Sequence, residues 1–144
     1  EGGYGENPKI SIKKSDIAGL LGCRKYTIAE AERHTAVGSA TGMAWTSVGG
    51  VILMVEVLKV PGKGALKLTG SLGKVMQESA EAAFTYIKSR AADWGFSQEI
   101  FEKNDFHLHV PDGATPKDGP SAGITMAAAL YSLLSGKVSG RIFQ

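Results

Sequence analysis

The chain of 144 residues has a single cysteine, Cys23, which excludes an internal disulfide and a cysteine-built zinc cage. No apolar run approaches the roughly 20 residues that a membrane-spanning helix needs, so no membrane partner is expected. Neither charge is in excess, since 16 basic and 14 acidic residues leave +2. That balance gives no electrostatic case for nucleic acid and argues against a small nucleic-acid-binding module. Internal repeats and low-complexity tracts are missing. So is a signal peptide, because Glu1-Gly2-Gly3-Tyr4-Gly5 has neither a basic flank nor an apolar segment. A cytoplasmic setting is the default expectation, and Glu1 is not an initiating residue, so the chain reads as a piece of something longer. A phosphate loop is missing as well. Gly62-Lys63, Gly73-Lys74 and Gly136-Lys137 each lack the earlier glycine and the following Ser or Thr of a Walker A motif. No cofactor is expected on these residues.

What is present is an ordinary globular composition, 43% hydrophobic and 21% charged, with 19 glycines. A chain of this length hides roughly 70% of its unfolded surface. Ser15 and Gly22 bracket a short helix as N-cap and C-cap. The β-rich runs 43–48 and 51–60 are expected to form a hairpin turning at Gly49-Gly50, with Val55 and Val57 on one face and Glu56, Leu58 and Val60 on the other. Ala65 to Thr69 reads as a third strand. Leu72 to Trp94 shows helical spacing and stops at Gly95. Phe106-His107-Leu108-His109-Val110 alternates as a half-buried strand. A loop rich in proline and glycine follows, and then an Ala-rich helix from Ser121 to Ser135, with Ile124, Met126, Leu130 and Leu133 available for packing. An apolar face of that helix left bare would promote association. The predicted class is α+β.

The stretch Thr115-Pro116-Lys117-Asp118-Gly119-Pro120-Ser121-Ala122-Gly123 concentrates the chemistry. A stiff loop delivers a serine to the start of a helix, where backbone N–H groups are unpaired and the helix dipole is positive. Such donors hold an anion or a developing oxyanion, and the small neighbours leave room for a substrate backbone. The same serine also suits a plain N-cap. His107 and His109 share one strand face, as a triad histidine, a pair of metal ligands or simply partly exposed strand residues would. No third metal ligand is evident. A lysine base is hard to find: Lys137 follows Ser121 along one helix at about 24 Å. Lys117 lies in a solvated loop, and Lys59, Lys63, Lys67 and Lys74 read as surface charges.

Three stretches carry a resemblance: Gly42 to Gly50 (GMAWTSVGG), Leu68 to Ala80 (LTGSLGKVMQESA), and above all His107 to Gly123 (HLHVPDGATPKDGPSAG). The chain resembles the C-terminal proteolytic domain of Lon, the ATP-dependent serine protease, from about Ala36 to Gly136. The resemblance implies residues 1–35 as an arm and the tail of the ATPase helical subdomain with its connection, and residues 36–144 as part of the proteolytic domain. It implies Ser121 as nucleophile. Asp118 becomes the acidic residue that shapes or blocks the active-site loop, Gly119 and Ala122 its small neighbours, and Glu56 and His109 supporting groups near the serine. It implies unfolded or damaged proteins as substrates, a hexameric ring, and ATP with Mg in a separate ATPase module. The dyad lysine of the family lies on a later helix, so this stretch reads as ending before it. A catalytically silent packing or assembly module is the alternative expectation, because a serine without a proton acceptor is a weak nucleophile.

Overall fold

The computed structural model describes residues 11–13, 15–16, 19–20, 36–46, 49–111 and 117–139. The chain divides into two units, residues 1–30 and 31–144. In the first, the expected helix from Ser15 to Gly22 lies only partly among the described residues. The Asp16 carboxylate accepts the Lys13 N–H at 2.9 Å, and the Ser15 hydroxyl donates to the same carboxylate at 3.1 Å. The Leu20 N–H reaches the Asp16 carbonyl at 3.0 Å, the spacing of one α-helical turn. Cys23 and His34 lie outside the described residues.

The second unit is an α+β fold. A four-stranded sheet is built from β1 (Ser39–Thr46), β2 (Gly49–Pro61), β3 (Leu66–Thr69) and β4 (Asn104–His109), in the order β1-β2-β4-β3. The first two pairings are antiparallel, and β3 runs parallel to β4. A parallel neighbour needs a crossover. Here it is α1 (Lys74–Arg90), a 3-10 turn (Ala92–Trp94) and the short α2 (Glu99–Glu102). After β4 the chain passes through a 3-10 turn (Pro120–Ala122) into α3 (Gly123–Ser135).

Alternation along the strands decides which face is covered. Leu53, Val55 and Val57 of β2 and Phe106 and Leu108 of β4 are buried, whereas Glu56, Leu58 and Val60 are exposed. Helices α1 and α3 cover the buried face with Met76, Ala80, Ala83 and Ile87 from one and Met126, Ala129 and Leu130 from the other. Each large apolar side chain hidden this way contributes about 1.5–3 kcal/mol. The alanines let the two helices approach closely, and Phe84, Phe101 and Phe106 close one end of the core with ring centroids 5.1–5.8 Å apart.

Three expectations need correction. The hairpin does not turn at Gly49-Gly50: Thr46 pairs with Gly49 and Trp45 with Gly50, so both glycines belong to β2. The last helix does not start at Ser121, because Pro120–Ala122 form a tighter 3-10 turn before it. Ile124 does not pack inward; it is 72% exposed. It borders an open apolar groove of about 260 Å³ lined also by Tyr86, Trp94, Ala127 and Tyr131. Trp94 meets Tyr86 and Tyr131 edge-on there, with centroids 6.1 and 5.1 Å away. The Trp45 side chain lies outside the described set.

Candidate active site

The serine loop is seated on the segment that joins β3 to α1. Where the chain leaves β4, the Val110 N–H donates to the Thr69 carbonyl at 3.1 Å. Where it returns, Lys117 bridges in parallel to Leu72. The Lys117 N–H donates to the Ser71 carbonyl at 3.2 Å, and the Gly73 N–H donates to the Lys117 carbonyl at 2.7 Å. One short stretch, residues 69–73, thus receives both ends of the loop. Ser71 adopts a left-handed φ of 56° to serve it, a conformation uncommon outside glycine.

Asp118 follows at once. Its Oδ1 accepts the Met76 N–H and the Gly119 N–H, each at 2.9 Å. Gly119 has φ 136° and ψ 156°, a region essentially reserved for glycine. Pro120 then fixes the first position of the 3-10 turn, and Ser121 comes next with its side chain exposed. Among the described residues the Ser121 hydroxyl has no hydrogen-bond partner. Ala122 is buried behind it and anchors the turn in the core. The leading N–H groups of such a turn lack partners within it, and α3 adds its positive dipole end. Of the residues singled out in the sequence, Asp118, Gly119, Ser121 and Ala122 form this one site.

Glu56 and His109 belong to a second cluster. They are direct cross-strand partners between β2 and β4, on the sheet face away from α1 and α3. His109 Nδ1 and His107 Nε2 both reach the Thr69 hydroxyl, at 2.7 and 2.9 Å. One hydroxyl has one proton to give, so it donates to one imidazole and accepts from the other. No described hydrogen bond joins this cluster to Ser121. Among the described residues no three His, Cys, Asp or Glu side chains gather as metal ligands, and no helix is long and apolar enough to cross a membrane. Sequence reasoning gave no role to Thr69, which the register places opposite His109, or to Gly73.

This arrangement can be set beside known proteins. The family model for the Lon protease (S16) C-terminal proteolytic domain matches residues 11–142. The chain belongs to that family. It is 56% identical over 132 residues to the Lon protease of Brevibacillus choshinensis, covering 92% of this chain and 17% of that protein. It is 53% identical over 132 residues to Lon protease 2 of Desulfotalea psychrophila, with the same coverage of 92% and 17%. With the Lon protease of Desulforamulus reducens it shares 50% over 133 residues, 92% of this chain and 16% of that one. The chain therefore spans about a sixth of the length of these curated relatives. The mixed sheet with two helices on one face is the α+β arrangement expected of a Lon proteolytic domain.

Proposed function

We propose that this chain is the nucleophile-bearing part of an ATP-dependent Lon-type serine endopeptidase acting on unfolded or damaged proteins. The observation that carries the reading is the Ser121 hydroxyl. It is exposed, without a partner among the described residues, and set at the mouth of a helix by a glycine-only backbone and a proline. In this reading the Ser121 Oγ attacks a peptide carbonyl carbon. Its proton passes to the ε-amino group of the dyad lysine, held C-terminal to α3. Backbone N–H groups at the entry to α3 take the negative charge that grows on the carbonyl oxygen. The amine leaves with the proton, and water releases the acyl group from the serine. Asp118, Gly119 and Ala122 shape the loop, and Glu56 and His109 support it from the sheet. ATP and Mg act in a separate ATPase module, and the ring is a hexamer.

Family membership supports the reaction class, and the geometry of residues 117–123 supports the choice of serine. The decisive experiment replaces Ser121 with Ala in the assembled protease and follows ATP-dependent cleavage of an unfolded protein, together with labelling by a serine-directed fluorophosphonate. Both should vanish while ATP hydrolysis persists. Cleavage that survives the substitution overturns the assignment.

A further inference from the structure

Helix α1 begins without a cap of its own. Gly73 occupies the N-cap position, offers no side chain, and is followed by a first turn with no acidic residue. The Met76 N–H, three residues on, is the donor that an N-cap side chain would satisfy. It is satisfied instead by Asp118 Oδ1, at 2.9 Å, from 42 residues away. Gly73 has φ −68° and ψ 169°, a conformation open to any residue, so its backbone angles do not demand glycine. Space does: a Cβ placed there would run into the Asp118 carboxylate. The missing side chain is the niche that the carboxylate fills.

We propose that Gly73 is a positioning residue for Ser121, acting through Asp118, an inference that rests on Ser121 being the nucleophile. Two residues separate the clamped carboxylate from the serine, and they have little freedom. Gly119 is bonded to the same oxygen, and Pro120 has a fixed φ. The backbone bonds of Lys117 to Ser71 and Gly73 hold the loop from its other side. Evicting the carboxylate from the niche shifts the loop, and the serine with it. The same device occurs a second time in the fold, where Gly62 leaves room for the Asp105 carboxylate to take the N–H groups of Lys63 and Ala65.

The test separates capping from positioning. Gly73→Ser supplies a strong local cap hydroxyl while its Cβ displaces Asp118. Melting temperature and the slow exchange of the Met76 amide should be kept, whereas kcat for peptide cleavage in the assembled protease falls about 10- to 100-fold with KM little changed. Asp118→Ala should lose kcat and speed exchange at both Met76 and Gly119, and Asp118→Asn, which keeps the acceptor oxygen, should recover most of both. Wild-type kcat in Gly73→Ser overturns the proposal, because helix capping alone would then suffice. So does unchanged exchange at Met76 and Gly119 in Asp118→Ala, because the clamp would then not exist. Cleavage that persists in Ser121→Ala strikes the nucleophile reading, and with it the role given to the clamp, while the exchange data still report the clamp itself.

Discussion

Two glycine–carboxylate clamps close long stretches of this chain, and they differ in what they carry. At the end of β2, the Asp105 carboxylate fills the space beside Gly62 and accepts the Lys63 and Ala65 N–H groups, both at 2.8 Å. At the start of α1, Asp118 fills the space beside Gly73 and accepts the Met76 N–H. The first clamp pins a surface turn to the sheet and leads nowhere further. The second pins a loop whose next residues are Gly119, Pro120 and Ser121. The chemistry of the two grips is alike, so the difference in role comes from the chain that follows each carboxylate. Substitutions that treat the two clamps alike in folding should treat them unlike in activity.

The largest effect falls at the serine itself. Ser121→Ala should lower peptide cleavage by about 10⁴-fold or more, as loss of a nucleophile does elsewhere, and leave the thermal melt where it was, since the hydroxyl bonds to no described residue. Next comes the backbone that presents it. Gly119→Ala has free space around the new methyl group, but φ 136° is closed to it. It should cost about 1–3 kcal/mol by denaturant titration, and cleavage should fall with it. A stable, active Gly119→Ala variant would show that the loop works in another conformation.

Below these lies the direct contrast of the two clamps. Asp118→Ala should cost about 1 kcal/mol, the usual loss on removing an N-cap, and should also reduce turnover. Asp105→Ala should weaken the fold yet leave the turnover of folded protein unchanged. Equal losses of turnover in both variants would mean that the serine loop responds to general loosening of the fold rather than to its own anchor.

Much of this fold could be read from local pattern. Alternating residues in β2 and β4 gave the buried face, and helical spacing from Leu72 gave α1 to within a turn. Ser121 and Asp118 stood out through the stretch they share. What escaped was non-local. The niche at Gly73 is made by a residue 45 positions later, and nothing near Gly73 in sequence announces it. The parallel pairing that brings Thr69 to both histidines is likewise set by the crossover. At Gly49-Gly50 a strong local turn signal was overruled by register, since Gly49 and Gly50 pair with Thr46 and Trp45 inside the β1–β2 ladder. Ile124 stands only two residues from the buried Ala122 and Met126, so the helix turns it to the opposite side, 72% exposed.

The smallest effect sharpens the comparison from the side of pH. The Asp105 carboxyl is held below the ordinary carboxylate value, chiefly by the Ala65 N–H and then by the Lys63 N–H, against a smaller opposing effect of desolvation. A carboxyl whose folded value is depressed binds its proton more readily when unfolded. Its contribution is complete above the unfolded value of about 3.9 and is lost as pH falls through the lower folded value. Stability measured by urea titration should decline from about pH 4 downward, and Asp105→Asn should flatten that part of the profile. The amide keeps the Oδ1 acceptor that takes both N–H groups but has no proton to gain. An unchanged acid limb in Asp105→Asn would show that its two short bonds to Lys63 and Ala65 do not govern how the fold answers to acid.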